Sequence, residues 1–226
     1  MAGVVPMCST PDGSCYILLR DAGRGMLETF GGGREELDPS LVYTASREGA
    51  EESLGSFGST EVIFKALSDL GEAADMSTKP PTYAVPLGTI SPGQMEAILH
   101  GFAHKMAFLC MNGGRAGKAA RREAKSCFFE TLRLVWLPVQ TVWPPGASVP
   151  AGEITGEIAA ADGSFGRQPA SVMLAESTQK YLQQAADAGW SESRVRDLRA
   201  PSTISRSLSE LYYPLFDPAL EEAAKV

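Results

Sequence analysis

The N-terminal half of the chain alternates short apolar runs with turns that contain glycine or proline. Runs rich in β-branched and aromatic residues are typical of strands. Strands are therefore predicted at residues 4–8, 14–20, 26–30, 60–67 and 82–87. Short glycine-containing turns separate the first three runs, and a longer polar connection over residues 71–81 separates the last two.

Helical periodicity and end signals predict a first helix over residues 39–54. Asp38 followed by Pro39 is typical of an N-cap and first helical position, and Gly55 is typical of the position that follows a helix. The remaining segments are predicted as helices at 91–111 and 169–188, and as a loop or linker with one short strand at 143–166.

The chain has 226 residues, 44% of them hydrophobic, and a net charge of −7. This size predicts one large domain over residues 1–190 and an extension over residues 191–226 that packs on it or trails it. The acidic charge argues against broad binding to DNA or to anionic membranes. The N-terminus lacks the features of a signal peptide, and no apolar run approaches the ~18 residues of a membrane span, so a cytoplasmic protein is expected. The four cysteines show no metal-ligand spacing and are interpreted as reduced thiols.

Three acidic residues, Glu48, Glu51 and Glu52, stand at i, i+3 and i+4 on the first predicted helix. Their carboxylates share an arc of about 100°, where each like-charged pair costs roughly 0.2–0.5 kcal/mol. Because Mg²⁺ prefers carboxylate oxygens and substrate phosphates, the trio indicates a site for Mg²⁺, with Mn²⁺ as a substitute. An acidic helix face that only contacts solvent is the alternative.

Residues 31–55, GGGREELDPSLVYTASREGAEESLG, resemble the signature of the Nudix hydrolases, G-x5-E-x7-R-E-U-x-E-E-x-G-U, in which U is aliphatic. Counting back from the R-E pair aligns Gly33 and Pro39 with the first glycine and first glutamate of the signature. With one residue inserted, Gly32 and Asp38 take those two places instead. With the insertion, an acidic residue occupies the position of the first glutamate; without it, Pro39 does.

The segment departs from the signature at Gly49, where an aliphatic residue is expected, and at Leu54, where glycine is expected. The glycine follows one residue late, at Gly55. Residues 14–30 and 128–140 also resemble the strands that flank this signature in the family. The resemblance implies an α/β fold, namely a Nudix-like α/β/α sandwich with a mixed β-sheet between helices.

The resemblance also implies roles for individual residues. The metal ligands, which are also candidate catalytic residues, are Glu48, Glu51 and Glu52. Glu130 matches more loosely an additional acid that binds metal or acts as the base. Arg47 is expected to brace the loop by pairing with Asp38, Glu35 or Glu36, because a guanidinium fork suits carboxylates. We expect the three ligands to converge on one opening that faces the turn at residues 31–33.

A basic stripe follows the second long helix, with residues at i, i+3, i+4 and i+7: Lys118, Arg121, Arg122 and Lys125. This spacing predicts a single cationic helix face. The first three are candidate substrate-binding residues that would contact phosphate groups or RNA. A solvated face that offsets nearby acids is the alternative interpretation.

The function that the resemblance implies is Mg²⁺-dependent hydrolysis of the diphosphate in a nucleoside diphosphate linked to another group, with metal-activated water as the nucleophile. Nucleotide sugars, ADP-ribose, damaged nucleotides, dinucleoside or inositol polyphosphates and a capped RNA end remain open as substrates. The alternative is a Nudix-fold binding module for a phosphorylated ligand or RNA that has lost turnover. The departures at Pro39, Gly49 and Leu54 favour the module, and the intact acid trio favours the enzyme.

Overall fold

The computed structural model describes residues 1–23, 25–112, 131–160 and 166–212, which form a mixed α/β structure. The strands are β1 (Ala2–Ser9), β2 (Cys15–Asp21), β3 (Met26–Glu28), β4 (Phe30–Gly32), β5 (Thr82–Thr89), β6 (Arg133–Pro138), β7 (Glu153–Ala159) and β8 (Arg167–Leu174). The helices are α1 (Leu41–Glu52), α2 (Thr60–Leu70), α3 (Pro92–Asn112), α4 (Val139–Val142), α5 (Glu176–Asp187), α6 (Glu192–Asp197) and α7 (Ser202–Tyr212), with a 3₁₀ turn at Gly71–Ala74.

The described strands form one mixed sheet. Strand β1 pairs antiparallel with β2 and β4 and parallel with β5. Beyond β2 the order is β6, β7, β8 and β3. Because β3 also pairs with β2, through Arg20 and Asp21, these five strands close on themselves. The closure places the end of β2 beside the short strands that precede α1.

Alternate residues of the central strands face opposite sides of the sheet. Val4 and Leu18 belong to one buried cluster, which α1, α2, α3 and α7 cover. Val5 and Ile17 belong to a second buried cluster, which α4, α5 and α6 cover. Helices therefore lie on both faces of the mixed sheet, and each face has its own apolar core.

Several predicted elements are confirmed: the strands at 4–8, 14–20 and 82–87 as β1, β2 and β5, and the helix at 91–111 as α3. The strand predicted at 26–30 is divided at Thr29 into β3 and β4. The division arises because β3 pairs with β2 and β8, whereas β4 pairs with β1. Strand β4 thereby lies directly under α1.

The strand predicted at residues 60–67 is wrong, because this segment is helix α2. Its β-branched residues favoured a strand. In the structure Ile63, Ala66 and Leu67 are buried at i, i+3 and i+4, and the Ser59 side chain accepts a hydrogen bond from a backbone N–H of the first turn. Burial of a helical stripe outweighs the local preference.

The helix predicted at residues 169–188 is wrong in its first part, which is strand β8. Its last buried residues alternate, at Val172 and Leu174, as expected for a strand. The segment 143–166, predicted as a loop or linker with one short strand, contains the seven-residue strand β7, which pairs with β8 from end to end. Each strand is defined by its partner rather than by its own composition.

Both predicted ends of the first helix need correction. Ser40, rather than Asp38, is the N-cap of α1, and its hydroxyl accepts a backbone hydrogen bond from the first turn at 3.1 Å. At the other end, two backbone hydrogen bonds form a Schellman motif in which Leu54 occupies the first position after the C-cap, with φ of 52°, and Gly55 follows it with φ of 67°. Leucine thus adopts the conformation that glycine would adopt at lower cost.

The described part of the C-terminal extension consists of α6 and α7. Val195 of α6 is buried in one core cluster, and Ile204 and Leu208 of α7 are buried in the other. The extension therefore contributes to both faces of the fold. Among the helices in the described residues, none combines the length and apolar character needed to cross a bilayer.

Gly49 allows α1 to lie close against β1. A Cβ atom at this position would lie 2.6 Å from Cγ2 of Val4, whose side chain is fully buried. No side chain fits there without displacing the core. The contact gives a physical reason for glycine where the signature has an aliphatic residue.

We expect Gly49→Ala to destabilise the protein by about 1–3 kcal/mol, because the clash with Val4 outweighs the gain of about 1 kcal/mol in helix propensity. The matched control is Gly101→Ala in α3, where a Cβ atom would meet no atom within 4 Å. That control should stabilise by about 0.5–1 kcal/mol. Urea unfolding measures both free energies, and stabilisation by both variants would contradict the close contact.

Candidate functional site

Helix α1 presents buried charged residues to strand β4. The backbone N–H of Gly31 donates to Oε2 of Glu52 at 2.8 Å. A Cβ atom on Gly32 would lie 2.5–2.7 Å from the carboxyl atoms of Glu48. The absence of side chains at Gly31 and Gly32 thus lets two carboxylates of α1 rest directly on the backbone of β4.

Arg47, which is 8% exposed, connects the helix to the loop that precedes it. Its Nη2 donates to the carbonyl oxygen of Gly33 at 2.8 Å and to Oδ2 of Asp38 at 3.1 Å. The same nitrogen lies 2.9 Å from Oε1 of Glu48, and Nη1 donates to Oε2 of Glu51 at 3.0 Å. One guanidinium therefore holds three carboxylates and a loop carbonyl in fixed relation.

Asp38 is the principal acidic partner of Arg47 in the loop. It is 3% exposed, and it also accepts hydrogen bonds from the Glu35 backbone N–H and the Thr44 hydroxyl, both at 3.0 Å. Burial alone would raise the pKa of Asp38, but the bonds from Arg47, Glu35 and Thr44 outweigh it and lower the pKa to about 2. Glu35 is a weaker second partner of Arg47, at 3.6 Å.

Burial by itself would lower the pKa of Arg47, but the Asp38 hydrogen bond and the charges of Glu48, Glu51 and Asp38 raise it above the ordinary value. Arg47 therefore remains a cation at any pH at which the fold exists. The contact with Asp38 matches the alignment with one inserted residue, in which Asp38 replaces the first glutamate of the signature.

Glu52 is directed away from Arg47. Its carboxylate is 1% exposed and lies 3.0 Å from Nη2 of Arg20, which also donates to Glu28 at 2.9 Å. Arg20 Nε donates to the carbonyl of Thr29 at 3.3 Å. Arg20 was not singled out in the sequence, although a charged residue at the end of the apolar run YILLR is a signal for a buried ion pair.

Carboxylates surround the two guanidinium groups. Six of them contact Arg20 or Arg47: Glu28, Glu35, Asp38, Glu48, Glu51 and Glu52. Carboxylate oxygens are the donors that hard cations prefer.

The three expected metal ligands thus border the segment at 31–33, but they are not joined in one cluster. Arg47 contacts Glu48 and Glu51, and Arg20 contacts Glu52. Within the described ranges, no three His, Cys, Asp or Glu side chains are grouped so that they could hold a metal ion. The oxygen donors suit Mg²⁺ chemically, and the Gly32 backbone leaves room for the Glu48 carboxylate.

Four other residues expected in the site lie outside the described residues: Glu130, Lys118, Arg121 and Arg122. The structure therefore gives no position for the additional acid or for the basic stripe. His100, on α3, bonds the backbone of Gly166 through Nε2.

We expect Asp38→Asn to destabilise the protein by about 3 kcal/mol at pH 7, because it leaves Arg47 buried with one fewer anion. The pKa of Asp38 falls from 3.8 to about 2 on folding, so its contribution is complete above pH 4 and is lost as the pH falls toward 2. The difference between wild type and variant in urea unfolding should shrink over that interval. The exposed Glu36→Gln variant is the control, and a pH-independent difference for Asp38→Asn would contradict the brace.

The site therefore consists of the loop that Arg47 holds and of helix α1, whose acidic face lies against Gly31 and Gly32 of β4. No protein-family model, curated protein or solved structure matches the chain.

Proposed function

We propose that the protein is a Nudix-type hydrolase with a Nudix-like fold, which cleaves the diphosphate of a nucleoside diphosphate derivative with the help of Mg²⁺. The contact that supports this most directly is the one between Arg47, Asp38 and the Gly33 carbonyl. It is the brace that the resemblance implies, formed through an aspartate instead of a glutamate. A brace of this kind fixes the loop over the acidic face of α1.

The charge of the cluster is the second support. The carboxylates around α1 provide oxygen atoms of the kind that a hard divalent cation prefers. A diphosphate carries negative charge itself, so it would approach this face only when cations accompany it. The cluster as it stands therefore suits a substrate that arrives with a hard metal ion.

In the proposed reaction, Glu48, Glu51 and Glu52 would hold Mg²⁺ once the bound ion draws together carboxylates that Arg47 and Arg20 otherwise hold apart. The metal would neutralise phosphate oxygens and lower the pKa of a bound water. Arg47 keeps Glu48 and Glu51 on the side of the loop, and the Gly31 N–H and Arg20 orient Glu52. Glu130 is the proposed proton acceptor, or one of the three glutamates serves in its place.

A binding module without turnover is the second candidate, and the position of Glu52 favours it. A carboxylate that is 1% exposed and bonded to Arg20 and Gly31 serves the fold in the same way whether or not a metal binds. Leu54, which has a left-handed backbone conformation where the signature has glycine, also favours the binding module. Hydrolysis and stability of glutamate variants separate the two candidates.

The test of the enzyme is phosphate release from nucleotide sugars, ADP-ribose, dinucleoside polyphosphates, inositol pyrophosphates and capped RNA with Mg²⁺ or Mn²⁺. Glu48→Gln should lower kcat at least about hundredfold on any active substrate, because it removes a charge that acts on the metal-bound transition state. It should also abolish the rise in melting temperature that Mg²⁺ produces in the wild type. Glu36→Gln is the control, and full activity of Glu48→Gln would exclude the proposed site.

Glu52→Gln gives a separate prediction. Because Glu52 contacts Arg20 in the interior, this variant should lose about 2–4 kcal/mol of unfolding free energy in EDTA. Glu48 and Glu51 are more exposed, at 10% and 16%, and their glutamine variants should lose less. If Glu52→Gln retains the Mg²⁺-dependent stabilisation of the wild type, Glu52 is structural and not a metal ligand.

A further inference from the structure

A cavity of about 250 Å³ lies beside β4, on the far side of Gly31 from the loop brace. Its wall includes Arg20, Glu28, Gly31, Thr82, Thr178 and Tyr181. The volume is below the range of about 300–1,000 Å³ for drug-sized ligands and suits a planar group of one or two fused rings. The wall is partly apolar and carries a small number of polar groups, as binding sites for small molecules do.

Arg20, whose side chain lines this cavity, has an unsatisfied donor. The residue is 6% exposed. Its Nε donates to the carbonyl of Thr29, and its Nη2 contacts the carboxylates of Glu28 and Glu52. Its Nη1 is buried and has no hydrogen-bond partner within the described part of the chain. A buried donor without a partner costs about 1–3 kcal/mol, which a ligand acceptor would recover.

The missing partner is a neutral acceptor rather than an anion. Glu28 and Glu52 already balance the charge of Arg20, so a phosphate or carboxylate here would stand next to two carboxylates. A carbonyl oxygen accepts from Nη1 without this repulsion. The ring that enters the cavity should therefore be uncharged.

Glu28 offers the complementary group. Its side chain is 37% exposed and lines the same cavity, and the bond to Arg20 uses only Oε2. Oε1 has no contact with another of the described residues and can accept from a ligand N–H. The wall thus presents a donor on Arg20 next to an acceptor on Glu28.

We infer that this cavity binds a nucleobase through its lactam edge, in which a carbonyl lies next to an N–H, as in guanine and uracil. The carbonyl would accept from Arg20 Nη1 after a small rotation of the guanidinium brings this buried atom to the cavity surface, and the ring N–H would donate to Glu28. A lactam N–H is more acidic than the exocyclic amine of adenine or cytosine, so it forms the stronger bond to a carboxylate. A ribose would offer hydroxyl groups but no planar donor–acceptor edge.

The inference rests on the proposed function and names the substrate class at the same site. Gly31 and Arg20 belong both to the cavity and to the contacts of Glu52, so a base in the cavity lies next to the acidic face of α1. The diphosphate attached to that base would reach the braced loop. The substrates expected are guanosine or uridine diphosphate derivatives.

The test is calorimetric binding of GMP, UMP, AMP, CMP and ribose 5-phosphate in the presence of Mg²⁺, which offsets the repulsion between the phosphate and the acidic residues. None of the five compounds contains a diphosphate, so none is a substrate of the proposed reaction. Each compound carries one phosphate, so differences between them come from the ring. GMP and UMP should bind at least about tenfold more tightly than the other three, as expected for one charge-assisted hydrogen bond. Equal binding of all five compounds, or the absence of binding, overturns the inference.

Glu28→Gln should reduce the preference for GMP and UMP about tenfold, because an amide replaces the carboxylate acceptor. The matched control is Glu157→Gln on β7, where a glutamate of 31% exposure pairs with Arg167 outside the cavity. That control should keep the wild-type preference. Ser177→Trp, at an exposed position on the cavity wall, should abolish binding of all nucleotides without changing the core.

The binding experiment and the hydrolysis experiment test different proposals, and either can give a negative result without the other. Hydrolysis of a diphosphate substrate without a preference among bases overturns the lactam inference and leaves the proposed function in place. A preference for GMP and UMP without turnover of any diphosphate substrate supports the cavity and favours the binding module. Retention of the preference in Glu28→Gln would remove Glu28 from base recognition.

Discussion

The guanidinium of Arg47, buried among carboxylates, is the contact on which the arrangement of the site depends. It joins Asp38 and the Gly33 carbonyl in the loop to Glu48 and Glu51 on α1. Removing any one partner would leave charge unpaired in a position that water reaches poorly, which is more costly than an exposed ion pair is favourable. The loop and helix therefore form one unit, and a substrate would meet a surface that is already ordered.

That unit requires close approach of backbones as well as charge. Glycine at position 49 lets α1 rest on the Val4 side chain, and glycine at position 32 makes space for the Glu48 carboxylate. A larger residue at either position would lift the helix from the sheet and separate the acids from the strand. The ion contacts therefore depend on packing, because glycine at positions 49 and 32 allows the short distance between α1 and the strands beneath it.

Arg20 links this unit to the cavity on the other side of β4. Its contacts with Glu52 and Glu28 place one cation between the acidic face and the proposed base pocket. A ligand that bonds Nη1 would hold Arg20 more firmly and, through it, Glu52. Arg20 would then take part both in recognising the base and in orienting the Glu52 carboxylate. Binding of the base would therefore affect the position of a proposed metal ligand.

The sequence by itself determined the elements whose signals are local: the first strands, the long helix α3 and the helix that carries the acids. For Arg47 it predicted an acidic partner among Asp38, Glu35 and Glu36, and the structure selected Asp38. It did not determine α2 or β8, because their local preferences were opposite to the structures that tertiary burial and strand pairing selected. Only the tertiary structure decided that Glu52 faces Arg20. Helix spacing fixes the arc that acids share, but a partner from a distant strand decides where each carboxylate is held.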